Sequence, residues 1–173
     1  LNDTVATLLA GQSAKSEVPY SGYIGFILGT GTNTAYVEEN ASIGKLGFQD
    51  GGSQIINIES GNFDFCPSEL DREFFGATKA PQQYHLEKMI SGAYLGPLST
   101  LVIEKAIEDG LFSENFKQRF ARLGGINTTV MSNYLEMPFN REYELVACCE
   151  GNQADAISLW MIIDALIARS AKL

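Results

Sequence analysis

Residues 23–33, with the sequence Tyr-Ile-Gly-Phe-Ile-Leu-Gly-Thr-Gly-Thr-Asn, decide the fold. Residues 23–28 form a short apolar run rich in β-forming side chains, and a glycine-rich turn follows it. Strand character resumes over residues 34–38, which predicts a β-hairpin closed around the turn. Residues 54–58 predict a third strand that ends at Glu59-Ser60-Gly61.

Helices are predicted before and after these strands in the sequence. Residues 4–10 have helical character, whereas residues 11–18 are polar and glycine-bearing and predict a loop. Residues 61–79 are predicted to be irregular, apart from a helix start at residues 68–71. Apolar residues then recur at helical spacing from residue 82 to 109, and Pro97 inside this pattern predicts a kink near residues 93–96.

Three further helices are predicted, capped by Ser113, Thr128 and Asn152. They run to about Leu123, to a point before Pro138, and to the final residue. The last helix has a predicted apolar face formed by Ile157, Trp160, Met161 and Leu166. The order of elements, a helix, three strands and then helices, predicts one small antiparallel sheet with helices packed against it.

The composition limits the classes of partner. The chain has 173 residues, 45% of them hydrophobic, which suits one globular domain, and no apolar run approaches membrane-spanning length. A net charge of -9 argues against a nucleic-acid partner and against an anionic membrane surface. An acidic protein can still bind ATP through backbone amides and a metal ion.

The cysteines and the single histidine constrain the chemistry. Cys66, Cys148 and Cys149 match no zinc spacing and no even set of disulfides. We expect Cys148 and Cys149 to be buried side chains in a reducing, cytoplasmic compartment, with a redox role as the minor alternative. Because His85 is the only histidine, a multi-histidine metal site is excluded, and a serine-type triad would have to use His85.

The turn formed by Gly29, Thr30 and Gly31 is a candidate phosphate site. Its glycines permit the backbone to direct N–H groups toward one point, and threonine hydroxyls lie among them. The turn matches neither the dinucleotide fingerprint nor the P-loop. The alternative is that it only closes the hairpin.

Three carboxylates and two amides form a second candidate set. Each carboxylate has a plain structural alternative, because Asp3 can cap a helix, Glu59 can be a solvated strand end and Glu87 an exposed helical side chain. Together with Asn2 and Asn33, they suit a polyhydroxylated ligand such as a sugar, whose hydroxyls both donate and accept hydrogen bonds. One carboxylate placed on a primary hydroxyl could serve as a general base.

Five segments, taken in chain order, resemble the hexokinase family. They are Leu-Asn-Asp-Thr-Val at residues 1–5, the hairpin segment 24–33, Ile-Asn-Ile-Glu-Ser-Gly-Asn-Phe-Asp at 56–64, Leu-Glu-Lys-Met-Ile-Ser-Gly-Ala-Tyr-Leu-Gly at 86–96, and the least specific, residues 168–173. The sequence departs from the family pattern at Ser60, where an aromatic residue is common, at Gln82 and at Pro97. These differences affect the wall of the sugar site and helix ends rather than the class.

The resemblance implies a role for each candidate residue. Asp3 is expected to accept the proton of the sugar 6-hydroxyl as that hydroxyl attacks the γ-phosphate of ATP. Asn2 and Asn33 are expected near the 4- and 3-hydroxyls, and Glu59 and Glu87 on the anomeric side. The turn at Gly29, Thr30 and Gly31 is expected at the phosphates, with Mg²⁺ bound to ATP and no direct protein ligand to the metal.

The implied fold is α/β: two ribonuclease-H-like (actin-like) domains that close over the sugar. Residues 1–173 are expected to be a single domain, the central part of the large (C-terminal) one, because the chain lacks an initiator methionine, the small-domain motifs and the adenosine segment. This part alone is expected to be inactive. The alternatives are a non-catalytic hexose-binding sensor on the same fold and an acidic structural module. Hexose preference, phosphoryl donor and oligomeric state stay open.

Overall fold

A computed structural model describes residues 2–14, 17–45, 47 and 51–173. The chain forms two compact units, Leu1–Gly61 and Asn62–Leu173. The described part of the first unit contains one α-helix, α1 (Asp3–Ser13), and three strands, β1 (Ile24–Leu28), β2 (Thr32–Glu39) and β3 (Ser53–Asn57). The strands form an antiparallel sheet in the order β1-β2-β3. The predicted hairpin and third strand are therefore confirmed.

Helix α1 packs on one face of this sheet. Gly25 of β1 pairs with Ala35 of β2, and Ala35 pairs with Asn57 of β3, so these three residues share a face. A Cβ atom at Gly25 would lie 2.6 Å from the Thr4 carbonyl oxygen and 2.9 Å from the Leu8 Cβ. Leu8 and Ala35 are fully buried by this contact. The absence of a side chain at Gly25 therefore allows the helix backbone to approach the strand closely.

The second unit is entirely helical. Its helices are α2 (Glu69–Ala77), α3 (His85–Ile90), α4 (Leu95–Glu108), α5 (Glu114–Leu123), α6 (Thr128–Glu136), α7 (Glu144–Cys149) and α8 (Gln153–Ser170). The larger apolar cluster joins α4 to α8 and includes Ile103, Phe116, Phe120, Met131, Leu145, Leu159 and Ile163. A smaller cluster joins α2, α3 and α4 through Phe74, Phe75, Met89, Ile90 and Leu98. Of the described residues, none belongs to a helix long and apolar enough to span a membrane.

Helix caps explain several of the predicted boundaries. The Ser113 side chain accepts from the Phe116 amide, and Asn152 accepts from the amides of the first turn of α8, as predicted. Ser68 and Asp71 form a capping box at the start of α2. That helix corrects the prediction of an irregular segment beyond residue 68. Asn127, rather than Thr128, caps α6, because the Thr128 hydroxyl donates instead to the Gly92 carbonyl.

The predicted kink near residues 93–96 is instead a break between two helices, and Pro97 lies just after this break. α3 ends at Ile90 and α4 begins at Leu95, so Pro97 is the third residue of α4. In a first turn, the amides have no intrahelical partner, and the proline loses no helical bond there.

Three other predictions were wrong. α1 continues to Ser13, into the predicted loop 11–18, of which residues 15 and 16 lie outside the described part of the chain. α8 ends at Ser170 instead of running to the last residue, and it buries Asp155, Leu159, Ile163 and Leu166. Of its predicted apolar face only Leu166 is buried, because α8 carries apolar residues on almost every side and periodicity alone does not select the buried one.

The contact at Gly25 makes a stability prediction. In Gly25→Ala, the new methyl group meets backbone atoms that cannot move independently, so we expect a loss of about 1–3 kcal/mol in the free energy of unfolding. Gly22→Ala is the matched control, since a Cβ there has no neighbour within 4 Å. Urea denaturation measures both variants. Equal stability of the two would show that α1 does not approach β1 as closely as described.

The cysteines make a prediction about reactivity. Cys148 and Cys149 are buried, as expected, and burial raises the pKa of Cys148 to about 11 and that of Cys149 to about 12. Since only the thiolate reacts readily, iodoacetamide at pH 8 should label the exposed Cys66 and leave the pair unmodified until urea unfolds the protein. Mass spectrometry reads out the labelled positions. Labelling of the pair in the folded protein at the rate seen for Cys66 would contradict this.

Candidate functional site

The N-terminus of α1 places two of the predicted residues side by side. The Asn2 side chain accepts from the amides of Thr4 at 2.9 Å and Val5 at 3.4 Å, and it is the N-cap of the helix. The capping alternative for Asp3 is therefore wrong. Asp3 is an exposed carboxylate in the first turn, and its Oδ1 accepts from the Thr4 amide at 2.8 Å. A negative charge is favoured here by the helix dipole.

A chain of side-chain hydrogen bonds joins two more predicted residues. Asn33 donates from Nδ2 to the Asn57 Oδ1 at 2.7 Å, and Asn57 donates from Nδ2 to the Glu59 Oε1 at 2.5 Å. The Asn33 Oδ1 accepts from the Thr34 amide at 2.7 Å and from the Ser60 amide at 3.3 Å. Both candidate side chains are thus held in fixed directions by neighbours from different strands.

The backbone of Glu59 is strained. Its φ angle of 55° lies in the left-handed region, which a glutamate adopts only when its surroundings impose the conformation. The surroundings here are the bond from Asn57 and the hydrogen bond between the Ile58 amide and the Thr34 carbonyl, 2.9 Å long. Such strain occurs most often at functional sites. Glu59 is exposed and lies just beyond the end of β3, as the alternative of a solvated strand end predicts, but its side chain is held by the bond from Asn57.

The same face of the sheet carries these groups and α1. Asn57 shares the face of Gly25 and Ala35, and Asn33 lies two residues along β2 from Ala35, a rise of about 7 Å. The N-terminal turn of α1 contacts this face, where the Thr4 carbonyl meets Gly25. The first unit therefore presents Asp3 and the Asn33–Asn57–Glu59 chain on one side of the sheet.

The glycine-rich turn closes the hairpin between β1 and β2. The Gly29 amide donates to the Gly31 carbonyl at 2.9 Å and is therefore used within the turn. Among the described residues, no group accepts a hydrogen bond from the amides of Thr30 or Gly31. A Cβ at Gly29 would meet nothing within 4 Å. The fold itself does not require glycine at this position, whereas a ligand that approaches the backbone would.

Glu87, the remaining predicted residue, lies in the second unit. It is the third residue of α3 and is half-buried. Tyr84, which precedes α3, has a φ angle of 60°, and its amide donates to the Asn62 Oδ1 at 2.9 Å. The Leu86 amide donates to the Phe63 carbonyl at 3.1 Å. The start of α3 is thus bound to the segment that follows Gly61.

Asn57 joins two of the predicted residues but was not itself predicted. Strand alternation gave no signal for it, because Glu59 lies beyond the end of β3, with a φ angle of 55°. What sequence spacing does not contain is the partner on β2. The pairing of Ala35 with Asn57 brings Asn33 within reach, and that register is a property of the folded sheet.

Each of the two units has a cavity. One cleft, of about 960 Å³, lies in the second unit and is lined by residues that include Arg119, Arg122 and Arg141. A second, of about 780 Å³, lies in the first unit beside Tyr20, Tyr23 and Tyr36. Neither contains a predicted site residue. Within the described ranges, no three His, Cys, Asp or Glu side chains are grouped to hold a metal ion.

Comparisons with known proteins identify relatives. The sequence model of a family described as Hexokinase matches residues 23–173. Hexokinase HKDC1 of Homo sapiens is 34% identical over an alignment that covers 100% of this chain and 20% of the relative. Hexokinase-1 of Arabidopsis thaliana is 39% identical over 65% of this chain and 23% of its own length. The chain thus spans about a fifth of these relatives.

Solved structures give the same result for the fold. A hexokinase from Schistosoma mansoni, determined in complex with glucose, matches 99% of this chain and 41% of its own, with a TM-score of 0.76 and 26% identity. A second hexokinase crystal structure matches 99% of this chain and 38% of its own, with a TM-score of 0.68 and 25% identity. The predicted fold class, an α/β arrangement of a small sheet and several helices, is confirmed.

Proposed function

Since this chain belongs to the hexokinase family, we propose that the protein transfers the γ-phosphoryl group of MgATP to the 6-hydroxyl of a glucose-like hexose. The observation that carries the proposal is the hydrogen-bonded chain Asn33–Asn57–Glu59 on the sheet face that α1 and Asp3 share. Two amides and two carboxylates on one side of a sheet supply the donors and acceptors that neighbouring sugar hydroxyls need.

Asp3 is the general base of the proposed reaction. Its carboxylate is exposed, and its Oδ1 accepts from the Thr4 amide. As the 6-hydroxyl oxygen forms its bond to the γ-phosphorus, its proton passes to Asp3 and ADP leaves with the electron pair of the broken P–O bond. Phosphoryl transfer depends chiefly on positioning and charge neutralisation, so the base acts mainly by orienting the alcohol.

The remaining residues hold the sugar and the phosphates. Asn2 and Asn33 bind the 4- and 3-hydroxyls, and Glu59 and Glu87 bind the anomeric side. The unused amides of Thr30 and Gly31 bind phosphate oxygens, whereas the Gly29 amide does not because it is bonded within the turn. Mg²⁺ enters with ATP and is bound mostly by phosphate oxygens and water, as is usual for this ion. Residues 1–173 alone are inactive in this proposal, and a cytoplasmic location remains a prediction.

Asp3→Asn tests the proposed base. In the full-length protein, we expect kcat for glucose phosphorylation to fall by about two to four orders of magnitude, because the amide cannot accept the proton. Glucose affinity, measured by calorimetry, should change only a few-fold, since the side-chain shape is retained. Asp109→Asn, at an exposed carboxylate that ends α4, is the control and should leave kcat unchanged. If the wild-type protein binds glucose yet forms no sugar phosphate, the kinase proposal is wrong and the hexose-sensor alternative takes its place.

Asn57→Ala tests the hydrogen-bonded chain. Removing the amide leaves Glu59 without its 2.5 Å bond and Asn33 without its acceptor. Glu59 and Asn33 must then be ordered when glucose binds, which costs about 0.5–1.5 kcal/mol for each side chain, so we expect the glucose Kd to rise about 10- to 100-fold. Ser53→Ala, at the other end of β3, is the control. An unchanged glucose Kd in Asn57→Ala would show that the hydrogen-bonded side chains Asn33–Asn57–Glu59 do not organise the sugar site.

A further inference from the structure

A buried lysine lies next to Glu87 in the sequence. Lys88 is only 1% exposed, and burial lowers the pKa of its ammonium group. Its Nζ donates to the Ala80 carbonyl at 2.6 Å and lies 5.4 Å from the centroid of the Phe75 ring. A lysine is rarely buried in this way, since moving the charge out of water is costly.

A second side chain of α3, that of His85, binds the segment just before this helix, residues 80–81. The His85 ring stacks on Phe75 with centroids 4.5 Å apart, and its Nε2 lies 2.9 Å from the Pro81 carbonyl. Its Nδ1 lies 3.4 Å from the Asp64 carboxylate. Two side chains of α3 thus bind the carbonyls of two consecutive residues, Ala80 and Pro81.

These bonds matter because α3 cannot hold its own orientation. It has six residues, and Tyr84 supplies no side-chain cap at its start. A helix of this length is unstable in isolation, so its position depends on tertiary contacts. An apolar side chain of the size of methionine would fill the space of Lys88 without burying a charge. The contribution of the ammonium group is therefore its directional bond to Ala80 rather than the burial of surface.

We propose that Lys88 is a positioning residue for hexose recognition, which fixes the rotation of α3, and with it the direction of Glu87, by binding the Ala80 carbonyl. The proposal rests on the function proposed above only in assigning Glu87 to the sugar. Lys88 itself does not contact the sugar. Its effect should appear in hexose affinity and should depend on the presence of the Glu87 carboxylate.

The experiment uses the full-length protein with Lys88→Met and, as a control, Lys79→Met, which alters an exposed lysine of the same segment. We expect Lys88→Met to unfold at the wild-type temperature or above, because no charge is buried. We expect its KM for glucose to rise about tenfold or more, with the KM for ATP unchanged. Lys79→Met should match the wild type. A second variant, Lys88→Gln, keeps a hydrogen-bond donor on a shorter side chain and should show a smaller rise in the glucose KM.

A double-mutant cycle with Glu87→Gln separates positioning from a general structural effect. If Lys88 acts through Glu87, Lys88→Met should raise the glucose KM less than about threefold in the Glu87→Gln background. Equal effects in both backgrounds, or an unchanged glucose KM in both Lys88 variants, would overturn the proposal while leaving the kinase function intact. A wild-type protein that neither binds nor phosphorylates a hexose would overturn both.

Discussion

The close approach of α1 to β1 at Gly25 is the constraint on which the first unit depends. Any side chain at Gly25 would meet the Thr4 carbonyl and Leu8, so the helix reaches this position only because the strand has no Cβ there. The contact sets the distance between the sheet and the first turn of α1. It therefore also sets where Asp3 lies relative to the amides and carboxylate at the end of the sheet.

In the second unit, the short helix α3 depends on its neighbours for its position. The charged pair between Asp71 and Arg169, at 2.9 Å, joins the start of α2 to the last turn of α8, and Asp71 also completes the capping box of α2 with Ser68. Phe75 of α2 then supports His85 and Lys88 of α3. The position of α3 is thus supported by α2, whose first turn is fixed by the capping box.

Local chemistry decided which features could be predicted from the sequence. The strands, the hairpin turn and the caps Ser113 and Asn152 were predicted because each depends on residues adjacent in the chain. The buried side of α8 was not predicted, because a helix with apolar residues on almost every side shows no clear periodicity. The helix α7 was not predicted, because six residues are too few to show a helical period. At the candidate site, the bond between Asn33 and Asn57 was not predicted, because it depends on the register between β2 and β3.

The charges of the first unit bear on what it can bind. Residues 1–61 contain no arginine and two lysines, Lys15 and Lys45, against six carboxylates, Asp3, Glu17, Glu38, Glu39, Asp50 and Glu59. A free phosphate would be repelled by this field, whereas a neutral polyol would be bound by its carboxylates and amides. In the proposed reaction, a triphosphate at the turn of Thr30 and Gly31 would therefore need a metal ion of its own to neutralise its charge. The backbone amides then need only orient the phosphates, which is consistent with a turn that contains no cationic side chain.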